Sequence, residues 1–437
     1  MKPLEAVSVL DLTEGNPYIG SVFADYGATV LKVEKPQGGD DIRRRGGTPE
    51  EEGPYAQYYL RGKKSIAIDY TTADGQEIVR KLAAKCDMVA VNKQEDYMER
   101  LGLGYENLKA VNPKLIYGVL TPFGKEGPWK DCPDYDLIVM AKCGLLEKTG
   151  FPERPTKFGF PLAYIYASWH LTAGMMAAYL KAEGYTVRLW NLIDLDHSDA
   201  WDCLAEIDGG GLIDTFVDVV IRNTTDKFDH FYDNTEMDLL KALCLYVYHE
   251  YEEKDRTFAE AYKLLINQSL EAIDGIFDNL PTTHPAKGPY RLFSKAEKVK
   301  GNAVLGLGTR LQIMQNEKVQ KITSYREIDL TLPGREKCAY FCITSDQDST
   351  YDVLATLFVS FLCIKLIRFA DRQENRQLPV TVHFILDEFP NIGIVPDFKK
   401  KLATARSRNL GMSILYQNIP QLQNRYPDGQ WEEILGG

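Results

Sequence analysis

The stretch GMMAAYLKAEG, residues 174–184, decides how this 437-residue chain is organised, because the sequence changes character inside it. Before it, an enzyme-like α/β half ends close to a candidate catalytic position, Tyr164. After it, the sharpest feature is an apolar run closed by two acidic residues, VHFILDE at residues 382–388. Helical propensity is continuous through residues 173–181, so we expect a helix across the change. The sequence therefore predicts two partial units on one backbone.

Composition and charge limit the classes of protein to which this chain can belong. A hydrophobic content of 44% and a charged content of 26% are typical of a globular protein with a core, and the length suggests about two or three domains. The net charge of −11 excludes a general basic footprint for nucleic acid or anionic membrane. Locally, KKKLATARSR at residues 399–408 is either a basic surface or a solvated helix face.

The cysteines and the apolar segments bear on location. Eight cysteines are scattered without CxxC pairs, which fits a reducing cytosol, and the chain starts without the apolar core of a signal peptide. The most apolar run, residues 353–364, is closed by Lys365 and Arg368 and is too short to span a bilayer. We therefore expect a buried helix there, no membrane segment in this chain, and a cytoplasmic protein.

The first half alternates between short apolar runs and helix-like segments. Strands are predicted at residues 7–12, 29–33, 65–69, 88–91 and 116–120, with helices at residues 19–26 and 75–85. This alternation is typical of a doubly wound α/β sheet of parallel strands. No GxGxxG or GxxxxGK[ST] sequence occurs anywhere, so neither nucleotide fingerprint accompanies the sheet.

Four segments of this half occur in an order that identifies a family. They are LKVEKPQGGDDIR (31–43), RGKKSIAIDYTTADG (61–75), ERLGLGYENLKAVNPKLIYGVLTPFGKEGPW (99–129) and PDYDLIVMAKCGLLEKTGFPERPTKFGFPLA (133–163). Together, residues 1–179 resemble the N-terminal part of the family III CoA-transferases, the CaiB/BaiF and formyl-CoA transferase family. The resemblance implies a partial doubly wound domain, coenzyme A as cofactor and a CoA thioester as substrate.

The resemblance also implies where the nucleophile should stand. The family's nucleophilic Asp closes a P-T-x-x-G-x-x-L-x-Asp pattern, in which a carboxylate forms the covalent acyl intermediate. This chain carries the pattern from Pro155 to Leu162 and then has Tyr164 at the position of the Asp. A phenol with a pKa of about 10 is mostly protonated at neutral pH. We therefore expect CoA transfer to be lost or severely impaired.

Contacts to coenzyme A are implied at other positions. The resemblance places Lys63, Asn92 and Arg100 at cofactor-contacting positions, beside the turn formed by Gly38, Gly39 and Asp40. Cationic side chains are what the phosphates of the cofactor require. For each residue taken singly, a solvated surface position is the alternative. Nothing after residue 180 resembles the C-terminal portion with which this family completes its large domain and its interlocked dimer.

The second half begins with a strand near residues 183–195, followed by predicted helices at residues 212–221, 236–250 and 259–267. GNAVLGLG, residues 301–308, lacks the Lys and Ser/Thr of a phosphate loop, so we expect a structural turn. Strands return at residues 338–344 and 380–386. The apolar run before Asp387 and Glu388 fits a Walker B element, and the alternative is a buried strand with a polar end.

Context favours the Walker B interpretation. RLWNLIDLDHSDAWDCL (188–204) and FILDEFPNIGIVPDFKKKLATARSRNLGMSILYQNIPQLQNRYP (384–427), with the segments between them, resemble the TraG-type conjugative coupling ATPases of type IV secretion. The match runs from about residue 181 to the end. It implies a junction and first strand at residues 180–199, an inserted all-α domain at 200–300, and a partial RecA-like ATPase domain at 301–437. ATP, Mg²⁺, DNA, secretion components and a ring-shaped oligomer are implied with it.

Site residues of the second half follow from this resemblance. Asp387 would hold Mg²⁺, Glu388 would polarise the attacking water, and Gln417 would sense the γ-phosphate. Arg406 and Arg408 are candidates for an arginine finger that acts on the neighbouring subunit. The alternative for either arginine is an ion pair with a surface carboxylate.

Two features of the second family are absent from the sequence: the membrane-spanning helices and the Walker A loop that cradles the triphosphate. We therefore expect ATP hydrolysis to fail, and the sheet to lack its central strand and to keep open edges. Three hypotheses result: an acyl-CoA enzyme with an appended module, a component of a nucleic-acid motor, and a composite chain without a dedicated activity. The third is favoured, because each half misses a part that its chemistry requires.

Overall fold

The computed structural model describes residues 2–16, 18–48, 51, 53–151, 153–225, 229–345, 348–427 and 429–436. The chain separates into two compact units, Met1–Gly184 and Tyr185–Gly437. Both units contain parallel strands and helices, so the predicted α/β class is confirmed.

The N-terminal unit is built on one parallel sheet of five strands. These are β1 (Ser8–Asp11), β2 (Thr29–Glu34), β3 (Lys64–Ala67), β4 (Met88–Val91) and β5 (Ile116–Val119), in the order β3-β2-β1-β4-β5. A short hairpin pairs β6 (Gly150–Phe151) with β7 (Arg154–Pro155). The helices are α1 (Tyr18–Asp25), α2 (Pro54–Tyr59), α3 (Ala73–Ala83), α4 (Glu95–Arg100), α5 (Tyr105–Val111), α6 (Asp136–Lys142) and α7 (Leu162–Ala182).

Apolar residues cover both faces of this sheet, as a parallel sheet requires. One core cluster includes Leu10, Val79 and Leu108 and contains residues of α3 and α5. The other includes Val9, Phe23 and Met175 and contains residues of α1 and α7. The strand order reverses between β1 and β4, and in open α/β sheets ligands bind outside the carboxyl ends of strands at such a point. Functional side chains are therefore sought directly after β1 and β4.

Helix α7 runs without a break through residues 173–181, where a continuous helix was expected. Its apolar side packs on β5, where Gly118 leaves room for Met175: a Cβ at this glycine would lie 2.4 Å from the methionine sulfur. The helix ends at Ala182, and Gly184 follows with a φ of +83°.

Among its described residues, the C-terminal unit contains two separate pairs of parallel strands. β8 (Thr186–Asn191) pairs with β9 (Cys338–Ile343), and β10 (Val382–Leu386) pairs with β11 (Leu410–Ile414). The helices are α8 (Ile213–Arg222), α9 (His230–Glu250), α10 (Phe258–Asn267), α11 (Leu270–Asp278), α12 (Lys287–Lys295), α13 (Lys300–Arg310), α14 (Glu317–Ile322), α15 (Asp352–Asp371), α16 (Phe398–Ala405), α17 (Ile419–Arg425) and α18 (Gln430–Gly436).

The predicted turn at residues 301–308 is wrong, because these residues lie inside α13. Ala303 and Leu307 are four positions apart and share the buried side of the helix. Gly306 allows close approach to the carboxylate of Glu236 on α9, since a Cβ there would lie 2.1 Å from Oε1. The glycines thus serve helix packing, which outweighs their low helix propensity.

Helix α15 is the buried apolar helix that the sequence predicted, and it extends beyond residues 353–364 in both directions. Among the described residues it is the one helix long and apolar enough, by length and composition, to cross a membrane. Most of its side chains are buried in the core of the unit; Phe358, for example, lies in an edge-on ring contact with the buried Trp201. The packing explains its apolar composition.

Candidate functional site

Tyr164 lies where the N-terminal unit gathers its polar groups. The residue belongs to the first turn of α7, and Asn92 directly follows β4. The Asn92 Nδ2 donates a hydrogen bond to the Tyr164 phenolic oxygen at 3.1 Å and a second one to the Glu14 carbonyl at 2.8 Å. A cavity of about 230 Å³ adjoins the phenol. Its lining comprises Glu14, Asn16, Asn92, Leu120, Thr121, Pro122, Asp134, Asp136, Val139, Ala163, Tyr164 and Ala167.

The surroundings of Tyr164 keep its phenol protonated. Desolvation by the enclosing protein, and then the negative charge of Asp11, raise the pKa of Tyr164 far above its usual value, against a smaller opposing effect of the Asn92 hydrogen bond. At neutral pH the side chain is therefore a neutral phenol. A neutral phenol is a far weaker nucleophile than the carboxylate that the family pattern places here.

Three carboxylates line the same cavity, and the sequence interpretation did not select them: Glu14, Asp134 and Asp136. The Asp136 Oδ1 accepts a hydrogen bond from the Tyr164 backbone N–H at 3.4 Å, and its Oδ2 is buried without a partner among the described residues. Glu14 accepts from the Tyr70 hydroxyl and forms an ion pair with Lys93 at 2.9 Å. Asp134 and Asp136 are two residues apart in the sequence, and the fold brings them together with Glu14.

Two predicted cofactor-binding residues are engaged inside the protein. The Lys63 ammonium lies 2.8 Å from the Asp11 carboxylate, and both side chains are almost completely buried. Asp40 lies 3.3 Å from the buried Lys32 ammonium and accepts hydrogen bonds from the Gly15 and Ile42 backbones. In this arrangement neither Lys63 nor Asp40 is free to meet a phosphate.

The other predicted cofactor-binding residues are distributed around the sheet. Arg100 ends α4, is exposed, and has no ion pair among the described residues. Gly38 and Gly39 have φ values of +81° and +66°, which glycine adopts at little cost, and they form the turn before Asp40. The structure brings Asn92 and Tyr164 together and leaves Arg100 outside the cavity that they line.

In the C-terminal unit, strand register brings the predicted acidic pair and Gln417 together. Leu386 pairs with Ile414, and the ladder continues as the Leu415 N–H donates to the Leu386 carbonyl at 2.9 Å. Glu388 and Gln417 therefore leave neighbouring strands at the same edge. The Gln417 Nε2 donates to the Glu388 Oε1 at 3.1 Å, and the Asp387 Oδ1 accepts from the Glu388 backbone N–H at 3.1 Å.

Glu388 has two unusual properties. Its backbone is left-handed, with a φ of 48° and a ψ of 41°, a conformation that costs a non-glycine residue roughly 1–3 kcal/mol. Its Oε2 is buried and has no hydrogen-bond partner among the described residues. Strained residues and unsatisfied buried polar atoms are concentrated at functional sites. Both observations favour a functional carboxylate over a mere polar strand end.

Arg406 and Arg408 lie at the amino end of β11, whereas Glu388 and Gln417 lie beyond the carboxyl ends of the strands. A five-residue strand spans about 16 Å, so neither guanidinium serves the acidic pair of its own chain. Arg408 forms an ion pair with Asp371 at 3.0 Å. Arg406 is exposed and has no ion pair in the part of the chain that the structure describes. Of the two candidates, Arg406 is the one available to a neighbouring subunit.

The residues near the acidic pair fit Mg²⁺ better than they fit a triphosphate. Carboxylate oxygens are suitable Mg²⁺ ligands, and the Asp387 side chain is exposed. A triphosphate requires a lysine and a row of backbone N–H donors at the same edge. Lys337, the one lysine among the described residues that line the adjoining cavity, precedes β9 at the opposite strand end.

Comparison with known families assigns a different family to each half. The profile of the family "Type IV secretory system Conjugative DNA transfer" matches residues 169–437. The profile of the family "CoA-transferase family III" matches residues 4–187. The two matches overlap over residues 169–187, which lie mostly on α7.

Individual relatives give the extent of the similarity. The succinate–glutarate CoA-transferase of Agrobacterium fabrum is 38% identical over 190 residues, which are 41% of this chain and 48% of that protein. The succinyl-CoA:glutarate CoA-transferase of Homo sapiens is 37% identical over 194 residues, 42% and 44% of the two chains. This chain thus spans about half the length of the curated relatives it matches. Among solved structures, the plasmid coupling protein TrwB with an ATP analogue aligns over 57% of each chain at 11% identity, with a TM-score of 0.40.

Proposed function

The chain belongs to the type IV secretory system conjugative DNA transfer family through residues 169–437 and joins to it a CoA-transferase family III part at residues 4–187, and on this premise we propose that it is a composite protein without turnover in either half. For the N-terminal half, the single observation that carries the proposal is the neutral phenol of Tyr164 at the position where the resemblance implies the nucleophile.

The N-terminal half supports the proposal through its charges. Acyl transfer through a covalent intermediate requires an anionic nucleophile, and Tyr164 is not one at neutral pH. Glu14 is a poor substitute, because hydrogen bonds from Tyr70 and Lys93 outweigh the effect of desolvation and hold its pKa below the ordinary value. A carboxylate stabilised by such contacts is correspondingly less reactive. Coenzyme A contacts at Asn92 and Arg100 remain part of the proposal.

A second candidate function, DNA-stimulated ATP hydrolysis, is favoured by one specific observation, the contact between Glu388 and Gln417. In it, Asp387 would hold Mg²⁺ bound to ATP, Glu388 would orient water, Gln417 would sense the γ-phosphate, and Arg406 would act on a neighbouring chain. DNA and secretion components would be the partners. Against it stands the absence of a GxxxxGK[ST] sequence from the chain. We propose a cytoplasmic location, which the free cysteines and the buried face of α15 support.

The transferase part is tested by CoA transfer between succinyl-CoA and glutarate, using the full chain. The proposal predicts no exchange above background for the wild-type protein, and Tyr164→Asp tests whether the phenol is the cause. Tyr166→Asp, at an exposed position on the same helix, is the matched control. Exchange above background by the wild-type protein would contradict the proposal and support an acyl-CoA:carboxylate CoA-transferase with an appended module. A gain of tenfold or more in Tyr164→Asp alone would show that the phenol is what prevents transfer.

The second candidate is tested by ATP hydrolysis with and without single-stranded DNA. The proposal predicts no hydrolysis above background in either condition. DNA-stimulated hydrolysis that disappears in Glu388→Gln, but persists in Glu374→Gln at an exposed loop position, would overturn it. Such a result would establish the motor component instead.

A further inference from the structure

Two strands of the C-terminal unit have an unpaired edge toward the same cavity. β9 pairs with β8 on one side and β10 pairs with β11 on one side, and these are the only pairings of the four strands among the described residues. A cavity of about 700 Å³ lies against continuous runs of both strands, residues 337–345 and 380–388. No residue of β8 or β11 that the structure describes lines it. The cavity therefore separates the open edge of β9 from the open edge of β10.

The width of this gap is fixed by neighbouring structure. At the amino ends of the strands, the Val380 N–H donates to the Gly334 carbonyl at 3.1 Å and ties the two segments together. Helix α15 connects β9 to β10 and forms the floor with Ala355, Phe358, Val359 and Leu362, all buried. When a helix packed on one face of a sheet connects two of its strands, the two strands run parallel. The gap is thus a slot between two strands of the same direction.

We propose that this slot binds an extended apolar segment of another polypeptide, which inserts as a β-strand parallel to β9 and β10. Each open edge presents backbone N–H and C=O groups that lack strand partners. An extended peptide offers donors and acceptors on both of its sides, whereas a helix uses its own backbone groups internally. Strand addition to a sheet edge is an established mode of peptide recognition, and here two edges would bind one segment.

The lining determines the chemistry of the segment. Phe341, Ile343 and Ile385 line the cavity and are exposed, Ile385 at 73%. Exposed apolar side chains on strands are what an inserted strand would cover, and β-branched residues suit a pleated surface. Cys342 lines the cavity beside them and offers a thiol for cross-linking a bound segment.

The charge at one end of the slot selects the residues that follow the bound segment. At the carboxyl end of the slot, Asp387 and Glu388 line the cavity, and no lysine or arginine lines that end among the described residues. In a parallel insertion, the carboxyl end of the guest lies at this acidic edge. The preferred guest is therefore about five apolar, β-branched residues, the length of β10, followed by lysine or arginine. This inference does not depend on either candidate activity.

The first test is the binding of a fluorescein-labelled peptide, Gly-Val-Ile-Val-Ile-Val-Gly-Lys-Lys, to the full chain by fluorescence anisotropy. We expect saturable binding that weakens at least tenfold when alternate residues of the peptide are N-methylated, since methylation removes N–H donors and keeps the side chains. We also expect at least tenfold weakening in Ile385→Asp. Leu305→Asp, at a similarly exposed position on α13, is the control and should bind as the wild type does.

The second test locates the peptide. A peptide with Cys in place of the central Val, activated as its thionitrobenzoate disulfide, should exchange with Cys342, whose thiolate attacks the peptide sulfur and releases thionitrobenzoate. Neighbouring strands lie about 4.8 Å apart, which suits a disulfide. We expect peptide mapping to find the adduct on Cys342, which lines the slot, in preference to Cys143, which is also exposed but does not line it. Equal binding of the N-methylated peptide, an adduct on Cys143 alone, or a dimer of this chain that Ile385→Asp dissolves would overturn the proposal. If Ile385→Asp does not fold, the methylated peptide and the wild-type chain decide the question.

Discussion

Single residues determine what the N-terminal unit can do. A carboxylate at position 164 would sit beside the charge of Asp11 and the amide of Asn92, whereas the phenol present there is kept neutral by the same surroundings. The buried pair of Lys63 and Asp11 lies next to it and serves the fold. Chemistry and stability therefore depend on neighbouring side chains at the carboxyl ends of β1 and β4.

The pH dependence of stability follows from the raised pKa of Tyr164. The phenol ionises near pH 10 in the unfolded chain and stays protonated in the folded one. The contribution of Tyr164 to the free energy of unfolding is therefore intact below pH 10 and is lost as pH rises above it. Between pH 8 and pH 10.5 we expect the wild-type protein to lose about 1 kcal/mol more of unfolding free energy than Tyr164→Phe. Urea unfolding followed by circular dichroism measures this difference. Equal losses would contradict it.

The buried ion pair gives a second prediction. Lys63→Met leaves the Asp11 carboxylate buried without its countercharge, which costs about 3–5 kcal/mol. Lys63→Met combined with Asp11→Asn should recover a large part of the lost unfolding free energy, because no buried charge of this pair then remains unpaired. Lys64→Met, at the exposed neighbouring position, is the control. The measurement is the free energy of unfolding of the wild type, Lys63→Met, Asp11→Asn, the double variant and Lys64→Met, and an additive double variant would refute the coupling.

At the scale of elements, sequence pattern predicted the helices and strands that carry a long apolar face. α15 and the parallel strands of the N-terminal unit were visible as apolar patterns, whereas the part of α7 at residues 173–181 was expected from the two resemblances. The glycine-rich α13 was missed, because glycine content suggests a turn when the packing partner Glu236 is unknown. The cavity around Tyr164 was missed for a similar reason: Asp134, in the loop before α6, and Asp136, the first residue of α6, meet Glu14 only in the folded chain.

The loop after β10 depends on one glycine. Gly393 has a φ of +108°, and a Cβ would lie 2.3 Å from the Thr356 Oγ1 and 2.6 Å from the Asn223 Oδ1. Gly393→Ala should therefore lower stability by about 1–3 kcal/mol beyond the backbone strain alone. Gly429→Ala, with a φ of +79° and open space around it, isolates that strain. Thermal melting compares the two variants, and equal losses would show that the contact with Asn223 and Thr356 is unimportant.

At the scale of the whole molecule, the two units have separate cores and separate family matches. Pattern and resemblance together predicted this division from the sequence, since each family carries its own order of motifs. They did not predict the slot between β9 and β10 as a shaped cavity, because its width depends on the Val380 contact and on the position of α15.

Because the two units have separate cores, we expect a destabilising substitution to affect only the unit that contains it. In Lys63→Met, amide hydrogen exchange should accelerate in peptides from β4 and α7 and remain unchanged in peptides from β10 and β11, because the lost ion pair belongs to the N-terminal core. Mass spectrometry of exchanged peptides measures both. Faster exchange throughout the C-terminal unit would show that the units unfold together.

The central claim is that one chain joins parts of two families within α7. A single long DNA read from the source organism, across the codons for residues 159–195, tests it most directly. The account predicts one uninterrupted reading frame through these codons. Two separate loci, one for each unit, would contradict it, and each half would then be interpreted only within its own family.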